Sequence, residues 1–190
     1  MPTPPPTPLR ADAVRNRDRV LATARAVLAA GDPSLPLNDI ARRAGVGVGT
    51  VYRHFPNRRA LLEALADDAF TALLDDARAA GRHDDAWAGV ELLLRALLGR
   101  QLGDPAFAEV ISTGPELDES PRTTELRGEL VDRARAVLGH ARRAGVLRAD
   151  LTEDDLRHLV CGIVFALRLG DVSDGRVDRY LRVLLDGIRA

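Results

Sequence analysis

The stretch from Leu37 to Arg59, LNDIARRAGVGVGTVYRHFPNRR, decides the fold. Ile40, Ala41, Ala44, Val46, Val51 and Phe55 are spaced to pack two short helices, Leu37 to Ala44 and about Val48 to His54, against each other. Between them lies Gly45-Val46-Gly47, a tight turn whose first glycine can adopt the left-handed backbone conformation without steric cost. Ala41 and Ala44 are small enough for the second helix to cross close to the first, and Pro56 ends that second helix. This is helix-turn-helix geometry, in which the second helix enters the major groove of DNA. Val48, Gly49, Thr50, Tyr52, Arg53 and His54 are left exposed on it. Their hydroxyls, guanidinium and imidazole can bond phosphates and base edges, and the small apolar valine can touch a thymine methyl.

The charge pattern around this stretch agrees. The 190-residue chain has a net charge of −1, but residues 10 to 59 hold ten arginines against four acids. The remainder holds seventeen arginines against twenty-four acids. A basic N-terminal third on an acidic body is the layout expected of a DNA-reading head attached to a domain with another task.

Outside the head the pattern stays helical. The first nine residues carry five prolines and are expected to be a disordered leader. They lack the basic and apolar regions of a secretion signal, so a cytoplasmic location is expected. From Asp12, the residues Val20, Leu21, Ala24, Val27 and Leu28 mark one helix, stopped by Gly31-Asp32-Pro33. A longer helix is predicted from Arg58 to Ala80, and further apolar stripes run through Trp87 to Leu98, Phe107 to Ile111, Leu126 to Ala141 and Val177 to Ile188. Thr152 is a plausible N-cap, followed by Glu153, Asp154 and Asp155 at the positive end of its helix. No run alternates as a strand would. The predicted fold is all-α with about nine helices: a leader (1–9), a three-helix DNA-binding domain (10–57) and a helical effector-binding and dimerisation domain (58–190).

One helix is unusual. Leu159 to Leu167 is apolar on nearly every side, yet at nine residues it is less than half of the roughly 20 a membrane span needs. Such a helix either runs through the middle of its own domain or meets another subunit with one face.

GVGVGTVYRHFPNRRALLEAL strongly resembles the signature of TetR-family (TetR/AcrR-type) transcriptional regulators, and the likeness is specific over about Leu21 to Leu65. The segment Ala144 to Leu156 is a weaker echo of the connection before the penultimate helix in that family. The resemblance implies that Thr50 and Tyr52 bind backbone phosphates and that His54 lies near phosphate. Arg58, where the family usually has lysine, would hold a further phosphate. Val48 and Arg53 are the better candidates for reading sequence, with Gly49 permitting close approach. Arg42 or Arg43, and Arg15 or Arg17, could add phosphate contacts. Gly47 replaces the usual serine cap and Pro36 a usual Ser or Thr, so side-chain hydroxyls near the DNA are lost.

The resemblance further implies a homodimeric repressor on double-stranded, palindromic operator DNA, released by a small-molecule effector. Leu159, Ile163, Leu167, Leu181 and Leu184 are expected at the dimer interface. Trp87, Leu94, Phe107, Ile111, Leu130, Ala134 and Phe165 are expected around the effector. The alternatives are an effector-free dimeric DNA-binding regulator and a protein-interaction module; a cavity open to solvent in the C-terminal domain favours ligand control, and a solid core favours the others.

Other chemistries find little support. There is no phosphate loop, nucleophile elbow or catalytic triad pattern, so no enzyme is expected. His158 with Asp154 or Asp155 and Cys161 shares one helix face, but no second ligand motif accompanies it. A capping acid and an interface histidine explain the same residues. No metal and no cofactor are expected, and Cys161 reads as an inert core thiol.

Overall fold

The computed structural model describes residues 8–169 and 173–190. The leader assigned to residues 1–9 therefore lies outside the described residues up to position 7; from Pro8 the chain is already helical. Among the described residues there are nine α-helices: α1 (Pro8–Ala29), α2 (Leu37–Ala44), α3 (Val48–His54), α4 (Arg58–Ala80), α5 (Ala86–Gly103), α6 (Pro105–Ser112), α7 (Pro121–Arg143), α8 (Glu153–Arg168) and α9 (Asp174–Ile188). A 3-10 turn, Pro115–Leu117, interrupts the loop before α7. The all-α expectation is met, and none of the described helices is long and apolar enough to cross a membrane. The chain divides into two compact units, 1–65 and 66–190, with the division falling inside α4.

The first unit is built around the turn between α2 and α3. Val20, Ala24, Ile40, Ala41, Val51 and Phe55 are buried there, together with Leu61, Leu62 and Leu65 from the start of α4. Gly45 has φ +61°, and the Gly45 and Val46 N–H groups return to the Arg42 and Ala41 carbonyls, closing α2 in a Schellman motif. Gly47 begins α3 without any side-chain cap, as its lack of a hydroxyl requires.

The loop between α1 and α2 contains a feature that the pattern of residues did not suggest. Leu35 lies in the left-handed region, φ +44°, with its side chain buried. That backbone costs a non-glycine residue roughly 1–2 kcal/mol, and burying a leucine contributes roughly 1.5–3 kcal/mol; the core contact outweighs the strain.

In the second unit, caps fix the helix starts. Asp85 accepts from the Trp87 and Ala88 N–H groups at α5, and Asp104 accepts from Phe107 N–H at α6, ahead of Pro105. Thr152 and Asp155 form a reciprocal capping box at α8. Buried apolar residues of α5, α6, α7, α8 and α9 make up the core, with Phe70 and Phe107 edge to face at 4.9 Å. The end of the chain is held by Arg148 N–H to the Ile188 carbonyl and Ala190 N–H to the Val146 carbonyl.

Candidate nucleic-acid interface

In the first unit, Val51 is fully buried and acts as the peg that seats α3. Helical geometry then turns the residues beside it outward. Val48 and Tyr52, one turn apart, are 46% and 44% exposed, and Gly49 and Arg53 are exposed next to them. Thr50 and His54 are half-buried, and the His54 ring lies 6.1 Å from that of Phe55. A Cβ added at Gly49 would meet nothing within 4 Å, so this part of the face is open to an approaching duplex. Among the described residues, neither Tyr52 nor Arg53 makes a side-chain hydrogen bond or ion pair, so their polar ends are available to an outside partner.

The basic residues around α3 divide into two groups. Arg42 is exposed and pairs with Asp39 at 2.9 Å, an exposed bond that competes little with phosphate. Arg15 pairs with Asp12, and the Arg17 guanidinium lies 5.7 Å over the Phe55 ring. Arg58 faces inward to the backbone: its Nε donates to the Pro33 and Ser34 carbonyls at 3.1 Å and its Nη2 to Pro33 at 2.5 Å. It thus clasps the loop beside the strained Leu35. On the other side of the same loop, the hydroxyl and N–H of Ser34 hold the Asp32 carboxyl below its ordinary range.

Three supporting contacts are not evident from the pattern of residues. Arg19 reaches from α1 to the end of α2 and donates to the Ala44 and Gly45 carbonyls at 2.5 and 2.9 Å. It satisfies carbonyls that a helix end leaves open, and complements the negative end of α2. At α4, the Asn57 side chain accepts from Ala60 N–H, and buried Glu63 is paired with Arg59 at 2.7 Å. The signal for Glu63 was its i,i+4 spacing from Arg59 on an apolar helix; nothing local marked Arg19.

The second unit holds a cavity of about 560 Å³. Leu94, Ile111, Leu130 and Ala134, four of the residues named for the effector, line it. Trp87, Phe107 and Phe165, also named for the effector, are not among the residues that line this cavity. Phe107 is fully buried against Phe70, Phe165 is 67% exposed, and Trp87 stacks beneath the Arg189 guanidinium at 4.8 Å. Phe107 and Ile111 are one turn apart on α6, and Trp87 and Leu94 two turns apart on α5, so these residues share helix faces with lining residues but lie at other levels along the helices.

The apolar faces of α8 also separate. Leu156, Val160, Val164 and Leu167 are buried in their own unit, so Leu167, like Leu181 of α9, is core, whereas Leu184 is buried yet lines the groove between α8 and α9. Leu159 and Ile163 lie on the opposite side with Gly162, Ala166, Tyr180 and Val183, along an open groove. Cys161 is half-buried; its thiol donates to the Gln101 amide oxygen at 3.5 Å, and burial pushes its pKa up, leaving little thiolate.

A family profile described as bacterial regulatory proteins, tetR family, matches residues 20–65. A second, described as transcriptional regulator SbtR-like, C-terminal domain, matches residues 91–190. The HTH-type transcriptional regulator SAR0097 of Staphylococcus aureus is 40% identical over 60 residues, a match spanning 30% of this chain and 31% of that protein. The TetR-like transcriptional regulator LfrR from Mycobacterium smegmatis, solved in complex with proflavine, is 26% identical with a TM-score of 0.58, covering 92% of this chain and 96% of that one. The ketosteroid transcriptional regulator KstR2 of Mycobacterium tuberculosis shares the fold, with a TM-score of 0.64 at 19% identity over 92% of this chain and 95% of that one.

Proposed function

Because the chain belongs to the TetR family of bacterial regulatory proteins and is a DNA-binding transcriptional regulator, we propose that it is a homodimeric, cytoplasmic repressor released from a palindromic operator by a small molecule. The observation that carries the DNA-reading part is the Tyr52–Arg53 pair, unpartnered and outward on a helix whose Val51 is locked into the core. In this reading Thr50, Tyr52 and His54 bond phosphates, Arg42 adds charge, and Val48 and Arg53 meet base edges across the open approach at Gly49. Arg58 contributes through the loop it clasps.

Dimerisation is supported by the apolar outer side of α8 and α9, where Leu159 and Val183 are 44% and 69% exposed. Two heads then occupy half-sites about 34–36 Å apart. Ligand control is supported by the cavity, since a solid core would have favoured an effector-free regulator or an interaction module. The α4 helix, which carries the chain from one unit into the other, is the covalent route by which a bound molecule would alter the heads. Reversing occupancy from 99:1 to 1:99 requires the effector to prefer the released form by roughly 5.5 kcal/mol.

Fluorescence anisotropy on the protein's own upstream DNA and on a scrambled duplex, across a salt series, tests the reading. Specific binding by two chains, steeply weakened by salt and abolished in the Tyr52→Ala/Arg53→Ala variant, is expected. Equal affinity for all duplexes, including those from a genomic selection, would refute sequence reading.

A further inference from the structure

Resting on the reading of the cavity as an effector site, we propose that it takes a neutral, predominantly aliphatic molecule and discriminates against ionised ones. Its volume of about 560 Å³ is that of a small-molecule site. Leucines from α4, α5, α7 and α8, with Ile111, Val131 and Ala134, form its apolar wall, and no aromatic side chain is among the described lining residues. A planar ring system finds no aromatic partner there, and a cation finds no π face.

Each charge on the wall already has a partner. Three arginines (127, 135 and 157) stand against three acids (132, 153 and 154). Arg127 and Asp118 form a buried two-bond pair at 2.6 and 2.9 Å, and Arg127 also donates to the Val110 carbonyl. Arg157 is held by Asp154 and by the Ile111 and Ser112 carbonyls, Arg135 by Asp132, and Glu153 by Arg142. The side chains of Arg135, Asp132 and Asp154 are exposed to solvent, but beside the buried Arg127–Asp118 pair an ionised head group must either open that pair or surrender its water with nothing in exchange. A hydroxyl gives up far less. Thr124, whose own hydroxyl donates to the Ser120 carbonyl, keeps oxygen lone pairs on the cavity wall for such a donor.

The test is calorimetric titration of the full-length protein with decan-1-ol, decanoate and decylammonium at neutral pH, three molecules that share a chain and differ in charge. Decan-1-ol is expected to bind at least about tenfold tighter than either ion. Filling the cavity by Leu130→Trp should abolish this binding, with Ala134→Leu as the alternative should the tryptophan variant fail to fold. Equal or tighter binding of an ion, binding that survives both fillings, or no binding by any of the three would overturn the proposal. Operator release is read separately in the anisotropy assay. Alcohol binding without release leaves the ligand class standing and refutes ligand control, and release by an ion through the cavity does the reverse.

Discussion

Arg53 on α3 and Arg127 beside the cavity sit on the surfaces that meet outside partners in the proposed function, and the protein treats them in opposite ways. Arg53 is exposed, with no hydrogen bond or ion pair among the described residues. Arg127 is buried, bonded twice to Asp118 and once to a backbone carbonyl, with its guanidinium 5.6 Å over Phe70. A head that binds a polyanion gains from unpaired cations, because each phosphate they neutralise releases counterions condensed on the DNA. A cavity gains from arginines that are neutralised before any ligand arrives, because an unpaired buried charge would cost several kcal/mol.

The largest effect should come from undoing the buried pair. Asp118→Ala leaves Arg127 charged and buried, and is expected to lower stability by about 3–5 kcal/mol in urea unfolding. Replacing both partners by apolar residues, Asp118→Leu with Arg127→Met, should recover most of that loss. If the single variant were as stable as the wild type, the pair would not be what neutralises this wall.

The arginines of the first unit can be sorted by DNA binding. Arg53→Ala is expected to cost about 1–3 kcal/mol in operator affinity and to narrow the gap between operator and scrambled duplex. Arg19→Ala removes the bonds to Ala44 and Gly45 and so loosens α2 against α1. It should weaken all duplexes by a similar factor while leaving the slope of affinity against salt unchanged, since no phosphate contact is lost. A shallower slope for Arg19→Ala would make it a phosphate ligand.

Gly45→Ala should act on the same junction, on a smaller scale. The residue needs φ +61°, and a Cβ there would come within 2.8 Å of the Arg19 guanidinium. A cost of about 1 kcal/mol in unfolding is expected from the backbone, with the flexible Arg19 giving way.

The short helices of the head were legible to the residue because their limits are set by local chemistry: Gly45, Gly47 and Pro56 punctuate an apolar pattern too short to fit any other way. The Thr152 cap was legible for the same reason. Arg19, Leu35 and Arg58 were not, because each depends on residues some twenty-five positions away or on a buried niche that outweighs a backbone preference. Periodicity named Phe107, Phe165 and Leu167 as apolar helix positions but could not tell core, surface and cavity apart. That depends on which neighbouring helix faces each one.

The smallest effect belongs to the capping box of α8, which lies at the edge of the cavity through Thr152. The Thr152 N–H and hydroxyl bond the Asp155 carboxylate and hold its pKa below the ordinary value, backbone bond first. A carboxyl whose folded pKa is depressed contributes stability that is fully present above its unfolded value, about 3.9, and is lost as the pH falls through the folded one. Asp155→Asn should therefore melt slightly earlier than the wild type at neutral pH, and the two should converge as the solution is acidified below about pH 4. The contrast with Asp118 is the point of the measurement. Asp155 is an exposed cap whose bonds compete with water, so its loss should shift the melting temperature far less than the loss of the buried partner of Arg127. A neutral-pH shift as large as that of Asp118→Ala would mean that the start of α8, and with it the rim of the cavity, depends on this carboxylate.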